Sequence, residues 1–170
     1  MLNKKEIINL IRSENLIDSY IDLDKQLTPN GFDLTAGKIF EFNSQGALDF
    51  SNLERVVPEG KKILPEKLNR EDKFGWWNLN KGAYKVRTNE IVNLSNSLIA
   101  FTYTRTSVLR MGAFTQHGVW DAGFKGKGEF ILVVENANGL RLKENARVVQ
   151  IVFVPVRETE SYAGIYKGLK

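Results

Sequence analysis

The sequence predicts an all-β fold with one short helix at its N-terminus. Beyond Pro29 the chain consists of short runs of β-branched and aromatic residues, separated by turn-forming pairs such as Asn138-Gly139. The first residues carry apolar side chains at helical spacing instead. With 170 residues, 42% of them hydrophobic, the chain can bury one core without disulfides. We therefore expect a single domain over residues 1–170.

The predicted helix begins at a capping box, in which Asn3 is followed three residues later by Glu6. Apolar residues at helical spacing follow it, namely Ile7, Ile8, Leu10 and Ile11. The predicted strands are the segments richest in β-branched and aromatic residues. They cover residues 38–42, 83–87, 98–104, 129–134 and 147–154.

Residues 49–80 interrupt this pattern with prolines, glycines and many charges. Such a composition predicts a long surface excursion from the domain, not a linker between two domains. The excursion contains Trp76 and Trp77, which we interpret as packing anchors, with stacking on a ligand as the alternative.

Composition excludes several kinds of chemistry. The chain has no cysteine and a single histidine, which excludes thiol catalysis, disulfides and a multi-histidine zinc site. The net charge of +4 is scattered and not clustered, so we predict no nucleic-acid surface, while a local site for a small polyanion stays open. No apolar run is long enough for a membrane span or a signal peptide, so we expect a cytoplasmic protein without membrane contact.

The segment with the most suggestive chemistry surrounds Asp121. Gly118, Gly123 and Gly126 flank this carboxylate and permit tight turns and close backbone approach. Asp121 can close a hairpin turn or serve as the carboxylate of a site. Nearby segments supply guanidinium, hydroxyl and amide groups that suit phosphate oxygens. These groups belong to Arg105, Thr106, Ser107, Arg110, Arg147 and Gln150.

The order and spacing of these segments resemble the family of deoxyuridine triphosphatases and dCTP deaminases over essentially the whole chain. Five segments carry the resemblance: "TPNGFDLTAG", "TRTSVLRMG", "GVWDAGFKG", "ARVVQIVF" and "YAGIYKG". A further segment, "LDFSN" at residues 48–52, is similar to the archaeal branch of that family.

The resemblance implies roles for the residues at matching positions. Asp33 matches the first-motif aspartate, and Asp121 matches the carboxylate that activates a water molecule. Gln150 would position that water or the α-phosphate, and Arg147 would order the motif from beneath. The second-motif residues Arg105, Thr106, Ser107 and Arg110 would hold the triphosphate.

The remaining implied contacts concern the nucleoside. Phe124 would lie beneath the deoxyribose and leave no room for a 2′-hydroxyl. Residues 114–119, which include Gln116 and Gly118, would read uracil through backbone groups. At the C-terminal end Tyr162 and Tyr166 would lie near the nucleotide, and Lys167 or Lys170 would supply positive charge.

The resemblance also implies a fold and an assembly. The fold would be a distorted jelly-roll-like β-barrel, assembled as a homotrimer. Each active site would lie at a subunit boundary and draw the second, third and C-terminal motifs from different subunits. Mg²⁺ would be held mainly by the substrate phosphates. The implied activity is hydrolysis of dUTP to dUMP and pyrophosphate.

Two other functions stay open. A bifunctional dCTP deaminase and dUTPase would need a glutamate on the strand after the third motif. Matching the family's asparagine to Asn136 puts Val133 at that position, whereas matching it to Asn138 puts Glu135 there. The deaminases' C-terminal lysine and glutamine are replaced by Ile165 and Leu169, which weakens that alternative. The other possibility is a non-catalytic nucleotide-sensing module.

Two further residues have open interpretations. His117 lies where the family usually has a small residue, so its imidazole either edges the base pocket or turns towards solvent or a neighbouring subunit. Glu129 is predicted to lie at the solvated start of a strand.

Overall fold

The computed structural model describes residues 1–169, and its secondary structure is dominated by strands. The helices are α1 (Lys4–Glu14), α2 (Leu23–Gln26) and α3 (Thr106–Arg110). The strands are β1 (Ile17–Asp18), β2 (Leu27–Thr28), β3 (Gly31–Glu41), β4 (Lys61–Ile63), β5 (Trp76–Leu79), β6 (Gly82–Asn93), β7 (Leu98–Thr104), β8 (Ala113–Gln116), β9 (Lys125–Val134), β10 (Leu140–Lys143) and β11 (Arg147–Pro155). No helix within these residues is long and apolar enough to cross a membrane.

Nine strands form one antiparallel sheet that curves into a nearly closed barrel. The strand order is β7-β11-β3-β6-β9-β8, and the short strands β1, β2 and β4 pair with its central members. The two ends of this order approach each other, because the Thr104 hydroxyl accepts a 2.9 Å hydrogen bond from the backbone N–H of Thr115. The predicted all-β barrel is therefore confirmed, as are the five predicted strands.

Strand β3 is the centre of this barrel. It pairs with β11 and β2 through its first half and with β6 and β4 through its second half. Its first six residues are all buried, and among them only Asp33 and Thr35 carry polar side chains. In the register with β11, Asp33 lies opposite Gln150. The fold thus places the predicted first and fourth motifs side by side.

Helix α1 has the predicted capping box. The Asn3 Oδ1 atom accepts from the backbone N–H groups of Lys5 and Glu6, and Glu6 Oε2 accepts from the N–H of Asn3 at 2.7 Å. The helix ends at Asn15, whose φ of 54° is left-handed. Its buried face consists of Ile7 and Ile11, which join the core.

The excursion over residues 49–80 lies on the surface and contains only the short strands β4 and β5. Trp77 is 1% exposed and belongs to the core, and its indole N–H donates to the Ile63 carbonyl at 3.0 Å. Trp76 is half-buried beneath the cationic side chains of Arg141 and Lys143. Both tryptophans are therefore packing residues, as predicted.

A buried carboxylate, Glu90, supports the strand that carries Asp33. Glu90 is 0% exposed, and it accepts hydrogen bonds from the Gln26 amide, the Thr35 hydroxyl and the Thr35 N–H at 2.6–2.9 Å. Burial raises the pKa of Glu90, while these donors act in the opposite direction. The network joins β6, β3 and α2 through groups that have no access to water.

Replacing Glu90 with leucine should destabilise the fold, because the donors of Gln26 and Thr35 would be left buried without an acceptor. We expect a loss of about 2 kcal/mol or more in the free energy of unfolding. Glu135→Leu is the matched control, since Glu135 is exposed and its replacement should cost less than about 0.5 kcal/mol. Urea unfolding compares the variants, and equal losses would mean that the buried network contributes nothing specific.

Candidate active site

A cavity of about 360 Å³ opens beside the segment that contains Asp121. Its walls come from the segment that follows β8, the middle of β9 and the C-terminal segment, together with Phe42, Val57 and Lys85. The lining residues that matter for chemistry are His117, Asp121, Phe124, Glu129, Tyr162 and Tyr166. Gly118 also lines this cavity, whereas Gln116 and Lys167 are exposed and do not.

A tight turn places Asp121 at the cavity. Trp120 anchors the start of the turn, because it is 7% exposed and its indole N–H donates to the Thr102 hydroxyl at 2.8 Å. Gly123 then adopts a φ of 73°, which favours glycine, and the N–H of Phe124 donates to the Asp121 carbonyl at 3.1 Å. The Asp121 side chain is left exposed at the end of this turn.

Aromatic rings form one end of the cavity. The Phe124 ring packs edge-on against Trp120 at 5.2 Å between centroids and lies 5.7 Å from the Tyr162 ring. The C-terminal segment is held there by backbone hydrogen bonds, including Tyr162 N–H to the Ala122 carbonyl at 2.7 Å and Gly168 N–H to the Lys125 carbonyl at 2.6 Å. The third and C-terminal motifs thus meet within one chain, which differs from the expectation that separate subunits supply them. Lys170 lies outside the described residues.

The first, second and fourth motifs meet at a different place. The buried Asp33 carboxylate accepts from Arg105 Nε at 2.9 Å and lies 3.3 Å from Arg147 Nη1. Arg105 Nη1 also donates to the Arg147 carbonyl at 3.0 Å, and Arg147 donates to the carbonyl of Lys25. Burial raises the pKa of Asp33, and the two guanidinium groups act to lower it.

Helix α3 presents the rest of the second motif to solvent. Thr106, Ser107 and Arg110 are exposed, while Val108 is 3% exposed and fixes the helix to the core. On β11 the amide of Gln150 donates to the Thr28 hydroxyl at 2.6 Å. None of the second- and fourth-motif side chains lines the cavity that contains Asp121. One described chain therefore presents two separate half-sites, a cavity with a carboxylate and a platform with arginines and hydroxyls.

The structure places the His117 ring at the cavity and not in open solvent. Its ring lines the cavity, lies 4.8 Å from the Phe130 ring between centroids, and its Nε2 atom is 2.7 Å from the Thr115 hydroxyl. Burial lowers the pKa of His117 from 6.5 to about 4, so the ring is neutral near pH 7. The imidazole therefore edges the pocket.

Glu129 departs from its predicted position at a solvated strand end. Its side chain is 21% exposed, lines the cavity, and accepts from Arg87 Nη2 at 2.7 Å. Alternation along β9 places Ile131 on the same face, and that residue also lines the cavity. Sequence reasoning did not predict that Glu129 and Ile131 line the cavity. The signal that could have indicated it is the two-residue period of a strand, which puts both residues on the same face as Val133.

The two positions that could correspond to the glutamate of the deaminases lie outside this cavity. Neither Val133 nor Glu135 is among its lining residues. Val133 pairs with Phe114 of β8, and the exposed Glu135 forms a 2.8 Å ion pair with Lys81. At the cavity itself, the strand offers the apolar Ile131 and a Glu129 that is already ion-paired.

The donor set of the site suits a magnesium ion that is held mainly by a ligand. Within residues 1–169, no group of three or more His, Asp or Glu side chains could hold a metal ion. A Mg²⁺ ion would therefore be held mainly by phosphate oxygens of a bound nucleotide, and no described side chain is assigned to it as a ligand.

Comparison with known proteins identifies the family. A pattern described as dCTP deaminase-like matches residues 1–156, which is most of the chain. The chain therefore belongs to the dCTP deaminase-like family.

Several similar curated proteins are archaeal. A probable deoxyuridine 5′-triphosphate nucleotidohydrolase of Archaeoglobus fulgidus is 38% identical over 169 residues, covering 99% of this chain and 96% of the relative. The protein of the same description from Methanosarcina acetivorans is 40% identical over 171 residues, with the same coverage of 99% and 96%.

Among solved structures, 2′-deoxycytidine 5′-triphosphate deaminase from Agrobacterium tumefaciens superposes with a TM-score of 0.65 at 19% identity. The match covers 89% of this chain and 47% of the deaminase chain, so the present chain spans about half of that chain's length. At this identity the likeness shows the fold alone.

The ionisation of His117 can be measured directly, because the chain contains one histidine. We expect its Cε1 proton resonance to titrate near pH 4 and not near 6.5. The neutral ring's contribution to stability is then present above pH 6.5 and is lost as the pH falls towards 4, since the unfolded chain takes up the proton first. A midpoint near 6.5 would place the ring in solvent and contradict the described packing.

Proposed function

We propose that this protein hydrolyses dUTP to dUMP and pyrophosphate, which limits uracil incorporation into DNA and supplies dUMP. The observation that carries the proposal is the exposed Asp121 carboxylate, held by a glycine turn at a cavity whose aromatic wall suits a deoxynucleoside. The names of archaeal relatives that match over nearly the whole chain support the same activity. The protein acts as a single domain over residues 1–170 in the cytoplasm.

Asp121 is the general base in this mechanism. It orients a water molecule and accepts its proton as the water oxygen attacks the α-phosphorus. A bond forms between that oxygen and phosphorus, the bond to the bridging oxygen breaks, and pyrophosphate leaves. Phe124 lies beneath the deoxyribose, and the backbone of residues 114–119 contacts the base. Tyr162, Tyr166 and Lys167 close over the nucleotide.

The arginine platform binds the triphosphate. Arg110, Thr106 and Ser107 are exposed on one short helix and are available to phosphate oxygens. Arg105 uses Nε and Nη1 within the chain, so its remaining N–H groups face the ligand while Asp33 fixes its direction. Arg147 orders this arrangement from beneath, and Gln150 positions the water or the α-phosphate. Mg²⁺ bound through the phosphates would neutralise charge on the leaving pyrophosphate.

The two half-sites become one active site in a homotrimer. Because the cavity lacks the second-motif side chains, a neighbouring subunit supplies its arginine platform. The exposed apolar side chains at the start of the excursion and just before it fit such an assembly, since Leu48, Phe50 and Leu53 are 79%, 106% and 90% exposed. These residues would be buried against a second copy.

Asp121→Asn tests the role of the carboxylate. The amide keeps the size of the side chain but cannot accept a proton, so turnover of dUTP should fall by about a hundredfold to ten-thousandfold. Asp18→Asn is the matched control, because Asp18 is exposed on β1 and belongs neither to the cavity lining nor to the arginine platform. Pyrophosphate release measures both variants. Near-wild-type turnover by Asp121→Asn would reduce this segment to a structural turn.

Incubation with dCTP separates the two chemistries of the family. We expect neither dUTP nor dUMP, because the strand beside the cavity offers Ile131 and an ion-paired Glu129. Glu135→Gln should leave dUTP hydrolysis intact. Chromatography of the nucleotides is the measurement. If dUMP is released from dCTP, the protein is bifunctional, and comparison of Glu129→Gln with Glu135→Gln then identifies the carboxylate responsible.

The mass in solution tests the assembly. Light scattering should give about three times the 19.3 kDa chain mass. A stable monomer with full activity would contradict the shared site, because one chain does not bring Arg110 and Asp121 to the same cavity.

A further inference from the structure

His117 is held by two contacts at the inner wall of the cavity. Its ring packs against Phe130 at 4.8 Å between centroids and 40° between planes. Its Nε2 atom meets the Thr115 hydroxyl at 2.7 Å. Thr115 is 6% exposed and lies on β8, so the contact is protected from water. The ring is consequently fixed in both position and rotation.

The hydroxyl groups behind the ring determine which nitrogen carries the proton. Thr104 Oγ1 already accepts from the Thr115 N–H at 2.9 Å and lies 2.7 Å from Thr115 Oγ1. If the Thr104 hydroxyl donates to Thr115 Oγ1, then Thr115 donates to His117 Nε2 and every bond is short. The reverse direction would leave the Thr104 proton with only the Thr115 carbonyl at 3.5 Å. The network therefore favours a neutral ring with the proton on Nδ1.

The Nδ1 atom is available to a ligand. Nδ1 has no hydrogen-bond partner among residues 1–169. Every buried side-chain nitrogen or oxygen in that range does have a partner, so Nδ1 is not buried and a ligand can reach it. The ring lines the cavity, and its pKa of about 4 keeps it neutral at pH 7. His117 thus presents one N–H donor to whatever occupies the cavity.

The ring contacts divide the aromatic lining of the cavity into two pairs. Phe124 packs with Tyr162, which the proposed function places at the deoxyribose, and His117 packs with Phe130. In a pyrimidine nucleotide, position 4 lies opposite the ring nitrogen that bears the sugar, whereas the 2-carbonyl is next to that nitrogen. With the sugar against Phe124, a donor of the His117 pair would meet position 4. Uracil has an acceptor oxygen there, and cytosine has a donor amino group.

We propose that the Nδ1–H group of His117 donates a hydrogen bond to the 4-carbonyl of uracil and thereby selects uracil over cytosine. This inference rests on the proposed function, because that function puts a pyrimidine deoxynucleotide in the cavity. Cytosine would direct its amino group at the same donor, which leaves two donors facing each other without an acceptor. Thr115 and Thr104 are positioning residues that fix the proton on Nδ1.

Binding of dUMP and dCMP tests the selectivity without depending on turnover. His117→Phe keeps the volume of the ring and its contact with Phe130 but removes the donor. We expect the dUMP-to-dCMP affinity ratio, measured by titration calorimetry, to fall about tenfold in this variant, mainly through weaker dUMP binding. Thr115→Val should lower the ratio as well, because the proton is no longer fixed. An equal loss for both nucleotides, or an unchanged ratio, would overturn the proposal.

The protonated nitrogen can be identified in the free protein. With one histidine in the chain, ¹⁵N shifts of the ring nitrogens should report a protonated Nδ1 whose shift moves on addition of dUMP. A proton on Nε2 would contradict the inference whatever the activity. Conversely, intact dUMP selectivity with no hydrolysis of dUTP would overturn the proposed function and leave the role of His117 supported, so the two failures are distinguishable.

Discussion

The arginine platform depends on the ion pairs that the buried Asp33 carboxylate forms with two guanidinium groups. The Asp33 side chain is 4% exposed, and two guanidinium groups, from Arg105 and Arg147, approach the same oxygen. A buried carboxylate without such partners would be costly, and two adjacent guanidinium groups without a carboxylate would repel each other. Because the three residues come from β3, β11 and the N-cap of α3, this cluster fixes the direction of Arg105 and the start of helix α3. The barrel itself is thereby coupled to the groups proposed to bind phosphate.

The cavity differs from the arginine platform, because it is mainly apolar where the nucleoside would lie and has polar side chains at a few positions. Trp120, Phe124 and Phe130 supply aromatic lining, and Asp121 and His117 are the polar groups proposed to act on the phosphate and on the base of a nucleotide. Burial keeps His117 neutral, whereas Asp121 is left in contact with solvent, where a water molecule can reach it. The same short segment can thus provide recognition at one end and a base at the other.

Much of this architecture could be predicted from the sequence, since local patterns determine it. The capping box at Asn3, the strand over Leu98–Thr104 and the turn at Gly123 each follow from neighbouring residues. Contacts between distant residues could not be predicted in this way. The pairing of Glu129 with Arg87 depends on the register between β9 and β6, and the burial of His117 depends on Phe130. The same register places Val133 and Glu135 beyond the cavity, which no count along the sequence could determine.

The proposed active site combines the Asp121 cavity of one subunit with the arginine platform of another. Asp121→Asn and Arg110→Ala chains should each form inactive oligomers. Co-refolding them in equal amounts, with different affinity tags to isolate mixed trimers, should restore about a third of the wild-type dUTP hydrolysis, because one of the three sites in every mixed trimer combines both intact residues. Mixed oligomers that stay inactive would contradict the shared site and place the whole reaction within a single chain.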